Sequence, residues 1–309
     1  MFKSFFKIFT ITFFLSLTSS MANASKEGID AINNKDYVSA LKIFKSEAEF
    51  NKKDGFAQTM MGGFYAEGLG GVKKDYTEAI RWYKLASDNG SAVAQHQLAV
   101  FYENGLGVSR NDIESLRFYK LAVSQGLAQA QVGLGAKYEN GIGVSKDEVE
   151  AVRLYKLSAS QGNANGQHNL ALMYENGKGT LKNIAESINL YKLASLQGFA
   201  PSQFNLGASY ENGDGVKQDS KQAVSWYKLA SAQNFVQAQN RLGYLYLNGE
   251  GVLKSNLKAY MWWQIASQNG DKDSLEQLRS LSLRMTKSQL DEANKLVVSC
   301  KNRSYKNCD

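Results

Sequence analysis

Cysteine is nearly missing from this chain of 309 residues, which holds two, Cys300 and Cys308, and none in the stretch that would follow an exported leader. Nothing at that point suggests a lipid anchor. The two cysteines enclose KNRSYKN. That is not zinc-knuckle spacing and no histidine is near, so in an exported chain the favoured reading is a disulfide closing a small loop. The loop reads either as a staple on the tail or as a small basic element that docks a partner. Long apolar runs are missing too. The one apolar run, Ile8 to Leu17, is shorter than the roughly 20 residues that a membrane span needs.

That run belongs to a leader. Residues 1 to 24 carry Lys3 and Lys7, then the apolar run, then Ala22-Asn23-Ala24, the layout of a secretory signal peptide with cleavage after Ala24. The expected destination is periplasmic or secreted. Removing the leader leaves 285 residues and lowers the formal charge from +7 to +5. Much of the excess lies at the end, in Arg284, Lys287, Lys295, Lys301, Arg303 and Lys306 against Asp291, Glu292 and Asp309. Elsewhere basic and acidic residues are mixed, which argues against nucleic acid as a partner.

What the chain has in abundance is repetition. YENGLGV at 102 to 108 returns as YENGIGV at 138, YENGKGT at 174, YENGDGV at 210 and, more weakly, YLNGEGV at 246. The lead glycines Gly105, Gly141, Gly177, Gly213 and Gly249 are spaced by 36, and Gly68 precedes them by 37 because Gly70 and Gly71 double up. Ahead of each glycine pair, Ala94, Gln95, Leu98, Ala99 and Tyr102, and their copies, mark one face of a helix. After it, Leu116, Tyr119, Leu121 and Ala122, with their copies, mark a second helix. Asn111, Asp147, Asn183, Asp219 and Ser255 stand where N-caps belong. Gly90, Gly126, Gly162, Gly198, Asn234 and Gly270 close the second helix. Pro201, the one proline, opens a first helix. Glycines that end a helix, with no strand before them, are turn residues and not a phosphate cradle.

The unit Ala-Gln-x-x-Leu-Gly-x-x-Tyr-x-x-Gly-x-Gly-Val, followed by x-Tyr-x-x-Ala and a closing glycine, resembles the Sel-one-like repeat, a relative of the tetratricopeptide repeat. Departures are Thr180 in place of Val, Lys137 and Met173 inside the first helix, and the inserted Gly71. The resemblance implies an all-α, right-handed α-solenoid of helix-turn-helix units. Residues 56–271 would hold six repeats, 25–55 and 272–299 helical caps, and 300–309 a basic tail with the disulfide. Thr286 and Gln289 form a capping-box pattern for the last helix.

His96 and His168 occupy the same place two repeats apart, too far to share a metal, and read as surface residues of the first helix. Neither a metal nor a cofactor is expected. S-x-x-K occurs at Ser39 to Lys42 and at Ser225 to Lys228, and S-D-N at Ser87 to Asn89, but K-T-G is absent and the tripeptides lie in different units. An enzyme acting on cell-wall or β-lactam substrates is one alternative, and a peptidoglycan or glycan binder another.

The favoured reading is an exported, non-catalytic scaffold for protein–protein interaction in the bacterial envelope, with a protein partner there or in a host and its oligomeric state open. In the resembling families first helices line a concave groove. The residues expected on it are His96, Val100 and Glu103; Val132, Ala136 and Glu139; His168, Leu172 and Glu175; Phe204, Ala208 and Glu211; and Asn240, Tyr244 and Leu247. The recurring glutamates sit unfavourably near helix C-termini. They pair either with Arg81, Arg117 and Arg153 of the second helices or, unpaired, with a basic partner.

Overall fold

The computed structural model describes residues 26 to 308, and among them are sixteen α-helices and no strand. The expected signal peptide, residues 1 to 24, lies outside the described residues. Helices α1 (Lys26–Asn33) and α2 (Tyr37–Phe50) come first. Three helix pairs follow: α3 (Gly55–Glu67) with α4 (Tyr76–Asp88), α5 (Ala92–Asn104) with α6 (Asp112–Ser124), and α7 (Ala128–Asn140) with α8 (Glu148–Ser160). Three more are α9 (Ala164–Asn176) with α10 (Ile184–Leu196), α11 (Ala200–Asn212) with α12 (Ser220–Ser231), and α13 (Val236–Asn248) with α14 (Asn256–Gln268). The last helices are α15 (Lys272–Ser282) and α16 (Lys287–Asn302). The chain is thus an all-α, solenoid-like helical repeat.

The turns form as the residue types require. Gly105, Gly141, Gly177, Gly213 and Gly249 close the first helices in the left-handed conformation. Asn111, Asn183, Asp219 and Ser255 accept backbone N–H bonds at the starts of second helices. Asp147 accepts from the Glu150 N–H at 3.0 Å. The second glycine of the GxG has a further duty. A Cβ on Gly107 would lie 2.6 Å from the backbone carbon of Tyr76, at the start of the preceding unit's second helix. The turn is therefore also a contact between successive repeats.

Packing divides the chain into two units, one ending at Leu154 and the other starting at Tyr155, inside α8. In the first, α2 presents Phe44 to Phe56 and Phe64 of α3, so the leading helices continue the same core. That core then runs through Tyr83, Leu98, Phe101, Tyr119 and Leu134. In the second, Tyr227, Leu242, Trp262 and Trp263 pack with Val297, Cys300 and Cys308. The Thr286–Gln289 capping box is formed at the start of α16. That helix runs on to Asn302, which puts Cys300 in its last turn, bonded to Cys308 with the Cα atoms 5.0 Å apart.

Candidate interaction face

A ladder of buried glutamines fixes the repeats. Gln95, Gln167 and Gln203 accept at Oε1 from the amides of Gln125, Gln197 and Gln233 at 2.8, 2.8 and 2.9 Å. In the first pair of the ladder Gln58 accepts from Asn89, and in the last Gln239 accepts from Asn269. Gln58, Gln95, Gln203 and Gln239 also donate onward: Gln203 Nε2, for example, reaches the Ser195 carbonyl at 3.1 Å. A glutamine near the start of a first helix thus ties the end of the preceding second helix to the end of its own unit's second helix.

Three of the recurring glutamates, Glu103, Glu175 and Glu211, are met otherwise than by the expected arginines. Arg81, Arg117 and Arg153 do not reach them. Each closes an i to i+3 pair with Glu78, Glu114 or Glu150 on its own helix, because the guanidinium is nearer its own turn than the first helix. Instead, Tyr119, Tyr191 and Tyr227 donate their hydroxyls to Glu103, Glu175 and Glu211 at 3.0, 2.7 and 2.8 Å. Burial, then the adjacent carboxylate, pushes these phenols well above their ordinary range, which keeps them protonated and donating.

Two of these glutamates also hold a cation. Lys137, 1% exposed, sits at 2.9 Å from Glu103 and 3.1 Å from Asp112. Arg241 makes a two-pronged contact with Glu211, its Nε at 2.9 Å from Oε2. Neither residue stood out in sequence reasoning as a partner for the glutamates. The signal was there for Lys137, a charge at a register where Met173 and Leu245 are core residues.

The first helices are stitched side by side by the face expected to point away from the core. His168 Nδ1 lies 2.9 Å from the Ser202 hydroxyl, linking α9 to α11. Asn240 donates to Asp271, Asp273 and Ser274, and Tyr244 to Asp273, linking α13 to the start of α15. The expectation of surface residues is therefore corrected at two positions. His96 is 9% exposed and packs edge-on against Tyr119, because the neighbouring second helix covers it. Glu211 is 8% exposed beneath Arg241. Val100, Glu103, Val132, Ala136, Glu139, His168, Leu172, Glu175, Phe204, Ala208, Asn240, Tyr244 and Leu247 are half-buried.

Burial holds both imidazoles at about 4, so they are neutral near pH 7. Phe204 packs between Tyr227 and Phe235, each ring centroid 5.5 Å away. The Ser225 hydroxyl of the second S-x-x-K donates to its own helix, at the Lys221 carbonyl. Among the described residues no group of His, Cys, Asp and Glu is arranged to hold a metal ion, and no helix is long and apolar enough to cross a membrane. Hollows of about 380 and 450 Å³ lie beside α6 and at the α11–α12 turn.

Sel1 repeat sequences match the chain at residues 55–91, 92–127, 128–163, 164–199, 200–235 and 236–271. In structure it is similar to a Sel1 repeat protein from Oxalobacter formigenes, 29% identical, with a TM-score of 0.71 over 79% of this chain and 97% of that one. It is also similar to a protective antigen of uropathogenic Escherichia coli displaying an SLR fold, 26% identical, with a TM-score of 0.39 over 87% and 73% of the two chains. Likeness to an immunity protein from Pseudomonas aeruginosa, 18% identical with a TM-score of 0.51 over 71% and 85%, is one of fold alone. No curated protein matches the chain.

Proposed function

We propose, from the premise that this chain belongs to the Sel1 repeat family, that it is an exported, non-catalytic adaptor of the cell envelope whose first-helix face holds a protein partner. Sel1 repeat proteins typically mediate protein–protein interaction, and the family is generally a non-catalytic scaffold. The observation that carries the reading is the division of labour within each unit. Glutamine clamps, capping residues and turn glycines recur from repeat to repeat. The half-buried side chains between them do not: Val132 and Ala136 become His168 and Leu172, then Phe204 and Ala208, then Asn240 and Tyr244. A fixed frame that displays a changing face suits recognition of one particular partner.

Export is supported by the layout of residues 1 to 24 and by a buried disulfide, since such bonds persist in oxidising compartments. The test is site-specific photocrosslinking in cells, with the crosslinker at Leu172 or Phe204 and, as control, at exposed Asn189 of α10. One protein captured from the first-helix sites and not from Asn189 is the expected result. Equal, diffuse capture from all three would overturn it.

A further inference from the structure

The glutamates of the first helices are equivalent in register but not in charge balance. Glu103 is matched by Lys137 and Glu211 by Arg241. Glu175 is matched by no cation among the described residues. In the repeat that follows Glu175, the register of Arg241 is filled by Asn205, whose amide donates to the Tyr191 hydroxyl at 3.0 Å and not to a carboxylate. Tyr191 supplies Glu175 with one hydrogen bond, at Oε2, and leaves a full negative charge on a half-buried side chain. Leu172 lies one turn earlier on the same helix face, and Phe204 and Ala208 hold the corresponding places on α11. Farther along the second unit Asp273, exposed and bonded to Tyr244 and Asn240, is also without a cation among the described residues.

Leu172 and Glu175 are neighbours three residues apart on one helix, so a partner that covers Leu172 strips water from Glu175 as well. An apolar or acidic cover would leave a desolvated anion unpaired, which is strongly unfavourable, whereas a cationic side chain replaces the lost solvation and forms a charge-assisted bond. We propose that the first-helix face of the second unit binds a protein segment in which a Lys or Arg side chain stands beside an apolar one, the cation meeting Glu175 and the apolar group meeting Leu172 and Phe204. Glu175 is then the residue that reads the partner's charge. The proposal rests on the adaptor reading and narrows it to a class of partner.

The two can be tested apart by selecting random peptides displayed on phage against the full-length protein, with F204D as the counter-selected surface. Peptides that bind the wild type and not F204D are expected to be enriched in Lys or Arg beside an apolar residue. Binding of a synthesised winner is expected to weaken roughly 10-fold or more in E175Q, and selection on E175K is expected to favour Asp and Glu instead. Phe204-dependent peptides without basic enrichment, or with the same enrichment on E175K, would overturn the charge assignment and leave the adaptor reading standing. A selection that yields no Phe204-dependent peptide would overturn both. Thermal unfolding of E175Q and E175K at the wild-type midpoint keeps a folding defect from imitating either result.

Discussion

A histidine enclosed by packing can be read by its response to acid. His96 lies under the second helix of its repeat, and burial holds its imidazole at about 4 against an ordinary value near 6.5. The folded state prefers the neutral ring, so between those two values the unfolded chain binds the extra proton. Stability from this ring is thus complete above about pH 6.5 and is lost as the pH falls toward 4, by up to roughly 3 kcal/mol. His168 acts in the same direction, its ring likewise held at about 4 by burial. We expect the urea midpoint of the wild type to fall more steeply from pH 7 to pH 4.5 than that of H96Q, which has nothing to protonate there. Parallel slopes for the two proteins would show that the ring is hydrated. The helical period located His96 on the correct turn of the correct helix. It could not say how far the next helix overhangs that turn, which depends on the size of Tyr119 and the path of α6.

At the scale of an element, what is local was legible in the sequence and what joins neighbours was not. N-caps and left-handed glycines are chosen by one helix end, so Asn111 or Gly105 can be recognised without knowing the fold. The Gln95–Gln125 bond and the Tyr119–Glu103 bond depend on which helices lie together, and composition is silent on that. A trace existed in the self-alignment all the same: where Trp263 replaces the tyrosine, Leu247 replaces the glutamate, so the pair is lost together. The glycines make the distinction testable. Gly90, at φ +82°, has nothing within 4 Å of an added Cβ, and Asn234 fills the same place four repeats on at φ 60°. Gly107 combines φ +65° with a backbone against which a Cβ would collide. G90N is expected to cost under about 1 kcal/mol, and G107N more than about 2 kcal/mol, the sum of strain and overpacking. Chemical denaturation of the two variants checks this, and equal losses would mean that the second glycine serves conformation alone.

In a stacked chain each element is held by its neighbours. In the second unit α16 and the loop closed by the disulfide pack on the core of the α13–α14 repeat. Cys300 and Cys308 are buried, Tyr305 packs on the cluster that holds Trp262, and Lys301 reaches Gln268 of α14. Ser304, Tyr305 and Asn307 take left-handed backbone angles, at φ 51°, 61° and 50°. Such angles are unfavourable for residues other than glycine and persist only where the surroundings enforce them. With the bond removed the loop gains freedom, and a closed loop this short accounts for roughly 2–3 kcal/mol of chain entropy. Contacts in a repeat array run between neighbours, so the loss is expected to stay near the end where it arises. Amide exchange in the C300S/C308S double variant should therefore quicken in α14 and α16 and leave α3 to α6 unchanged. The same pattern is expected for the wild type under a reductant, which would make this end of the chain firm in an oxidising compartment and loose in a reducing one. Quickening spread evenly over all helices would instead mean that the array unfolds as one body and that the disulfide stabilises the whole of it.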